Sequence, residues 1–179
     1  MKKKKIAEIV GILVVSVLLL FGIPNYVMER VIIDGPSMET TLQDQDNILV
    51  EKISRYFGAL ERFDIVVFYP DEESKEKSSK YYVKRIIGLP GETVQIKGNG
   101  IYVNDVLLEE EFGSTEMGHA GIAKEPIVLG EDEYFVLGDN RDISKDSRSE
   151  AVGVVPLSRM EGKMVLRIFP LGKFGSVDK

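Results

Sequence analysis

A serine follows an apolar run near the start of the chain, in the stretch IIDGPSMETTL (32–42). The apolar run ends at an Asp-Gly-Pro turn, and the next residue is Ser37. A turn that lifts a serine out of an apolar strand is one way to present a nucleophile. The chain has a single histidine, His119, which is far from Ser37 in the sequence. A reactive Ser37 would therefore need another group to accept its proton.

A lysine can accept that proton if burial makes its neutral form accessible. Most lysines of the chain have polar neighbours, but Lys84 lies in the apolar stretch YYVKRIIGLPG (81–91). Strand alternation puts Lys84 on one face with Tyr82 and Ile86, where an ammonium is poorly solvated and its pKa falls. The alternative is that Lys84 lies on a solvated face and that its aliphatic stem only covers its neighbours.

A third segment, FVLGDNRDISKDSR (135–148), takes an apolar strand into a polar loop with three aspartates, two serines and two arginines. A calcium loop would need oxygen ligands where Arg141 and Ile143 stand, so we predict no metal site. An ion pair of Arg148 with Asp146 or with Asp142 is a more natural organisation of this loop.

Composition excludes several kinds of chemistry. The chain has 179 residues, of which 44% are hydrophobic, so it can bury a core. It has no cysteine, which excludes disulfides, thiolate zinc sites, iron–sulfur clusters and a cysteine nucleophile. Residues 1–25 contain four lysines and one glutamate, or +3, so the net charge of −6 leaves −9 for the rest. Nucleic acid is therefore not an expected partner.

Four lysines precede an apolar stretch at the N-terminus. Residues 6–26 are long enough to cross a bilayer, and no small-x-small site follows that would indicate a cleaved secretory signal. A buried soluble helix is the remaining alternative. The lysines orient an anchor with its N-terminus in the cytoplasm. We therefore predict a basic cytoplasmic tail at 1–5, a transmembrane anchor at 6–26 and an extracytoplasmic catalytic domain at 27–179, in the cell membrane.

Beyond the anchor, short runs rich in β-branched and aromatic residues alternate with turn formers. Strands are expected at 47–50, 64–69, 81–87, 93–96, 101–103, 134–137 and 164–169. Turns are expected at 97–100 and 104–105, and a short helical turn within 51–60. We predict an all-β, mostly antiparallel fold with a smaller inserted β/loop region at about 98–128.

Taken together and in this order, these segments resemble the bacterial type I signal peptidases, the Ser/Lys endopeptidases that remove signal peptides from exported proteins. Residues 35–38 with Thr41-Leu42 are similar to the nucleophile box, and residues 62–68 to the strand box that follows it. Residues 82–91 are similar to the general-base box and residues 138–148 to the last box. Four boxes in order behind an N-terminal anchor make a specific pattern.

The resemblance implies roles for particular residues. Ser37 would be the nucleophile and Lys84 the general base. Ser144 would position Lys84 through its hydroxyl, and Asp146 with Arg148 would form a structural pair beside the site. Asp139 would be a further supporting residue. Neither a metal nor a cofactor is expected.

Two positions depart from the pattern of many family members. Thr40 stands where many members have proline, so we expect a less rigid turn after Ser37. Gly35 stands where some members have a serine whose hydroxyl lies in the oxyanion hole. With glycine at position 35 the serine hydroxyl is missing as a donor. The oxyanion would then need a second hydrogen bond, besides that from the Ser37 N–H, from another backbone group or from a water.

The resemblance also implies how a substrate binds. The cleavage segment of a preprotein is expected to lie extended beside two edges, at 31–35 and at 81–83. Shallow pockets would favour small side chains at the first and third positions before the bond. The residues expected to line them are Ile33, Met38, Leu42, Tyr82 and Val83. The expected partners are preproteins with signal peptides and membrane lipid, and the expected functional unit is a monomer.

Three other functions share parts of this pattern. Self-cleaving Ser/Lys repressors have a related catalytic arrangement, but they are cytosolic and need a DNA-binding module. A specialised maturation protease with a narrow set of substrates would look similar. A membrane-tethered β domain that binds export partners, with Ser37 and Lys84 incidental, is the non-enzymatic alternative.

Overall fold

Most of the chain folds into two antiparallel β-sheets, as predicted. The computed structural model describes residues 2–17, 27–71, 73–74, 81–113 and 116–177. In this part of the chain, one helix, α1 (Lys2–Val17), precedes the strands. The strands are β1 (Met28–Ile32), β2 (Asn47–Glu51), β3 (Ile65–Phe68), β4 (Tyr82–Gly88), β5 (Thr93–Lys97), β6 (Gly100–Val103), β7 (Val106–Leu107), β8 (Ile127–Val128), β9 (Glu133–Leu137), β10 (Val155–Pro156) and β11 (Met160–Phe169).

The larger sheet has the strand order β1-β2-β11-β3-β4-β9-β10. Its central strand β3 is buried on both faces, since Ile65 and Val67 pack into one apolar cluster and Val66 and Phe68 into another. Burial on both faces explains why this strand is a continuous apolar run without polar alternation. Val66 lies opposite Lys84 on β4, so the strand of the lysine lies between two buried layers.

Besides the two-residue edge strand β10, two edges of this sheet remain open among the described strands. β1 pairs with β2 on one side only. β4 pairs with β3 from Tyr82 onward, whereas its pairing with β9 begins at Arg85. The backbone groups of β1 and of residues 82–84 can therefore pair with another extended chain.

The smaller sheet has the order β7-β6-β5-β8. An apolar cluster joins it to the larger sheet, because Val94 and Ile101 of the smaller sheet pack with Ile87 and Phe135 of the larger one. Its strands lie between residues 93 and 128, so β5 begins five positions before the inserted region expected at about 98–128.

The predicted turns are present. Gly98 has a φ of +61° in the turn between β5 and β6, a conformation that glycine adopts without steric cost. Asn104 and Asp105 have φ values of +51° and +64° between β6 and β7, and these residue types tolerate the left-handed region better than most. A 3₁₀ turn at Ser54–Tyr56 lies within the predicted helical segment. The predicted strands do not include β1, β7, β8 or β10, and the last three have only two residues each, which are too few to show a period.

The predicted membrane anchor lies partly outside the described residues. Residues 2–17 form α1, and residues 18–26 are not among those described. None of the helices in the described part of the chain has the length and apolarity needed to cross a membrane. The apolar side chains of α1 are nevertheless half or more exposed, among them Ile9, Ile12 and Leu13.

Candidate active site

Lys84 and Ser37 are in direct contact. Lys84 Nζ donates hydrogen bonds of 2.7 Å to Ser37 Oγ and of 2.8 Å to the carbonyl oxygen of Val83. Lys84 is only 3% exposed, and its Nζ lies 5.5 Å from the centre of the Tyr82 ring. The alternative of a solvated Lys84 is therefore wrong.

Burial lowers the pKa of Lys84 from 10.5 to about 8. Desolvation is the largest cause, because an ammonium loses more than a neutral amine when water is removed. The carboxylates of Asp146 and Asp139 act in the opposite direction and raise the pKa. An amine with a pKa near 8 is neutral in roughly a tenth of molecules at pH 7, which allows it to act as a general base.

Ser37, the predicted nucleophile, lies in a tight turn of residues 36–42, the nucleophile turn. The Glu39 N–H donates to the Pro36 carbonyl over 3.0 Å, and the Leu42 N–H donates to the Met38 carbonyl over 2.8 Å. Met38 and Leu42 are almost fully buried and fix the turn to the apolar cluster under β1. The turn that carries the serine is therefore anchored to the core on its C-terminal side.

Asn140 fastens this turn to the loop that follows β9. Its backbone N–H donates to the carbonyl oxygen of Ser37 over 3.1 Å, and its side-chain Nδ2 donates to the carbonyl oxygen of Pro36 over 3.2 Å. Both bonds hold backbone groups, which leaves the Ser37 hydroxyl free to contact Lys84.

Thr40 gives the turn a backbone that proline cannot adopt. Its φ is +89°, whereas the proline ring holds φ near −65°. The turn at Thr40 therefore differs in backbone geometry from a turn with proline at this position. The difference from many relatives concerns the shape of the turn as well as its rigidity. The next residue, Thr41, donates a hydrogen bond from its hydroxyl to Asp139.

Asp139 forms a buried pair with Arg85, the residue after Lys84. Arg85 donates from Nε over 2.9 Å and from Nη2 over 2.7 Å, and neither side chain is exposed. Arg85 Nη1 also donates to the carbonyl oxygen of Phe63 over 2.9 Å. Asp139 thus links the strand of Lys84 to the nucleophile turn through Arg85 and Thr41.

Asp146 and Arg148 form the second buried pair. Arg148 donates from Nε and from Nη2 to the two carboxylate oxygens of Asp146, each over 2.8 Å. Asp146 also accepts a 3.1 Å hydrogen bond from the Gly138 N–H, and Arg148 Nη1 donates to the Met117 carbonyl over 2.6 Å. Of the two pairings expected for Arg148, the one with Asp146 forms. Arg148 also connects the loop of residues 138–148 to the segment before β8.

Ser144 makes no hydrogen bond to Lys84. Its hydroxyl is buried without a partner among the described residues, and the second bond of Lys84 goes to the Val83 carbonyl. The serine is nevertheless close to the nucleophile, because a Cβ added to Gly138 would meet both Ser144 Oγ and the Ser37 carbonyl oxygen. The predicted hydroxyl contact of Ser144 with Lys84 is absent from this arrangement.

Gly35 adopts a φ of +99°, which is accessible to glycine at low cost. Its N–H donates to Asp44 Oδ1 over 2.9 Å. The Gly35 amide is therefore engaged and does not serve as a donor to an oxyanion. A Cβ added to Gly35 would meet no other atom within 4 Å.

A cleft of about 700 Å³ lies beside Ser37 and Lys84. Its walls include residues 30–34 and 81–84, the two open edges of the larger sheet. Four of the five expected pocket residues line it: Ile33, Met38, Tyr82 and Val83. The prediction for Leu42 is wrong, because this side chain is fully buried in the apolar cluster under the turn and belongs to the core.

Comparison with known proteins shows the family. Residues 6–169 match the family model described as signal peptidase, peptidase S26. The signal peptidase I of Bacillus licheniformis is 34% identical over 184 residues, which cover 99% of this chain and 96% of the relative. The chain belongs to the signal peptidase I family. The prediction of a serine endopeptidase that removes signal peptides is thereby confirmed, and the non-enzymatic alternative has no support among these relatives.

Other signal peptidases are similar. The signal peptidase I of Leptolyngbya laminosa is 39% identical over 166 residues, which cover 90% of this chain and 79% of the relative. A crystal structure of a signal peptidase I from Enterococcus faecalis is 32% identical, covers 58% of this chain and 95% of its own, and superposes with a TM-score of 0.44.

Sequence reasoning placed Thr41, Arg85 and Asn140 inside the family boxes but assigned no role to them, although they hold this signal peptidase site together. Arg85 carried a usable signal, because an arginine inside an apolar strand needs a buried carboxylate partner. Asp139, directly after an apolar strand, was the matching acid. Asn140 carried no such signal, since it holds two carbonyl groups that only the folded turn brings near it.

Replacing Gly138 with alanine should reduce signal-peptide cleavage about 100-fold, because a displacement of roughly 1 Å at a reacting group costs that much. The new Cβ would lie 2.5 Å from the Ser37 carbonyl oxygen and closer still to Ser144 Oγ, so the nucleophile turn must move. Steady-state cleavage of a preprotein in detergent measures the effect. The control is Gly172→Ala, whose Cβ meets nothing within 4 Å. Wild-type activity in Gly138→Ala would contradict the geometry.

Proposed function

We propose that Ser37 and Lys84 form the catalytic dyad of a membrane-bound signal peptidase that cuts after small residues at the first and third positions before the bond. The observation that carries the proposal is the 2.7 Å contact between Ser37 Oγ and the amine of a buried lysine. The lowered pKa of Lys84 supports a base role, since the neutral amine is accessible near neutral pH.

The reaction would proceed through an acyl-enzyme. Neutral Lys84 takes the hydroxyl proton of Ser37 as the serine oxygen attacks the carbonyl carbon of the scissile bond. The carbon–nitrogen bond then breaks, and the Lys84 ammonium gives its proton to the leaving amine. Neutral Lys84 next takes a proton from water as the water oxygen attacks the ester. The Lys84 ammonium returns that proton to Ser37 Oγ when the ester bond breaks and the signal peptide leaves.

The oxyanion would be stabilised chiefly by backbone donors. The Ser37 N–H makes no hydrogen bond to a described residue, which leaves it available for this role. Pro36 has no N–H, and the Gly35 N–H is bound to Asp44. This site would consequently use fewer donors than one with a serine hydroxyl at position 35.

The cleavage segment would bind as an extended strand between the two open edges. Residues 31–33 of one edge and 81–83 of the other face the same cleft, so backbone hydrogen bonds can form on both sides of the substrate. Ile33 and Val83 flank the catalytic pair within this cleft. Pockets formed by branched aliphatic side chains leave room for alanine-sized residues and exclude larger ones.

The N-terminal segment would anchor the enzyme, with residues 1–5 in the cytoplasm and the β domain outside. The exposed apolar side chains of α1 support this, because such a surface is stable in lipid and unfavourable in water.

Membranes from cells that express the chain, washed with alkaline carbonate, should retain it. Removal of residues 1–26 should release the β domain into the wash, and release of the full chain would contradict an integral anchor.

Replacing Ser37 with alanine should abolish cleavage, and Lys84→Arg should reduce it at least about 1,000-fold, because arginine stays protonated at working pH. Cleavage of a preprotein in detergent is the assay, with circular dichroism to verify folding. Lys124→Arg, at an exposed position of the smaller sheet region, is the matched control and should retain activity. Full activity of either dyad variant would exclude the dyad.

The pH profile of kcat/KM should report the titration of Lys84. Because the neutral amine is the base, activity should rise with pH and level off above a midpoint of about 8, the pKa that burial gives this lysine. Initial rates between pH 5 and 10.5 measure the midpoint, with folding checked at each pH. A midpoint near about 10.4, the value of a solvated lysine, would mean that Lys84 is not desolvated in the working enzyme.

A further inference from the structure

The charge of the cleft is opposite to that of the chain. The chain carries a net charge of −6. Among the cleft-lining residues, three are basic, namely Arg30, Lys84 and Lys145, and one, Asp34, is acidic. Arg30 and Lys145 are exposed, and neither forms an ion pair with a described residue. The walls therefore carry two cations whose charge can act on a bound substrate.

Arg30 lies on β1, at the end of the cleft away from the nucleophile. Its Nε donates a 2.7 Å hydrogen bond to Asn47 Oδ1, which holds the guanidinium against the wall. The other donors of the guanidinium fork make no hydrogen bond to a described residue. Arg30 precedes Ile33 by three residues, or about 10 Å of extended strand.

Lys145 also lines the cleft, and it belongs to the loop that contacts the turn of Ser37. It follows the buried Ser144, whose N–H donates to the Asn140 carbonyl over 3.1 Å, and Asn140 in turn binds the Ser37 carbonyl. This short chain of contacts fixes the backbone of Lys145 near the reacting serine, with its side chain on the cleft wall.

We propose that these two cations select precursors with acidic side chains on either side of the cleavage site. The two open edges take the residues before the scissile bond, so the chain that follows the bond leaves at the Ser37 end and passes Lys145. Lys145 pairs with a carboxylate at the first or second residue after the bond. Arg30 pairs with a carboxylate about four to six residues before it. This inference rests on the proposed cleavage function and adds a substrate preference to it.

An exposed ion pair contributes modestly, so the preference should be about two- to five-fold. The test uses preprotein-derived peptides that differ only in the second residue after the bond, which is Glu, Gln or Lys. The unaltered enzyme should have a higher kcat/KM for the Glu peptide than for the Gln peptide, and the lowest for the Lys peptide. Lys145→Gln should abolish the difference, and Lys145→Glu should reverse it.

A second series tests Arg30 in the same way, with Glu or Gln at the fifth residue before the bond and the variant Arg30→Gln. The control for Arg30→Gln is Lys124→Gln and the control for Lys145→Glu is Lys124→Glu, each an equal change of charge at an exposed residue that does not line the cleft. These controls should keep both preferences at an ionic strength of about 0.15 M, where exposed charges more than roughly 8 Å apart are largely screened from each other.

Two results would overturn the inference in different ways. Equal cleavage of all peptides by the unaltered enzyme and by Lys145→Glu would remove the substrate preference and leave the proposed function intact. No cleavage of any peptide by the unaltered enzyme, with folding verified, would remove the proposed function and the preference with it.

Discussion

Removal of water from one amine governs the architecture of this site. In the proposed dyad, Lys84 must be buried enough for its neutral form to be accessible, yet its nitrogen must reach Ser37 Oγ. The first requirement is met because β4 lies inside the sheet, beside the strand β3 that is buried on both faces, and Lys84 itself is buried. The second requirement is met by the nucleophile turn, which Met38 and Leu42 tie to the core. The two acids near the lysine oppose the effect of burial on its pKa, so the surrounding structure must neutralise them with arginines.

Two buried arginine–carboxylate pairs do this. Asp139 is bound by Arg85 and Asp146 by Arg148, with full burial of all four side chains. Loss of one partner from such a pair costs about 3–5 kcal/mol, because the other charge is left unpaired. Asp139 with Arg85 joins segments distant in sequence, and Arg148 reaches a distant segment through the Met117 carbonyl, so the positions of Ser37 and Lys84 depend on the integrity of both pairs. A third pair, Arg141 with Glu110, links the loop of residues 138–148 to the segment after β7.

Much of this could be read from the sequence, and the reasons for success and failure are physical. The central strands and the two positive-φ turns follow from local patterns. The cost of an unpaired charge predicts a carboxylate partner for Arg148, but the local sequence left both Asp142 and Asp146 open as that partner. The burial of Leu42 could not be read in the same way, because one helical turn of backbone after Ser37 decides which side chain faces the cleft. The clamp of Asn140 on two carbonyl groups is likewise a product of tertiary contact.

The two open strand edges have a consequence for when a precursor can be cut. A chain that pairs with both edges at once must present several consecutive residues in extended form, with its backbone groups released from internal hydrogen bonds. A segment that is helical, or already packed into a folded domain, cannot meet that condition. In the proposed binding mode, the conformation of the precursor therefore determines when it can be cleaved. Cleavage is confined to the interval before the exported protein folds around its own N-terminus.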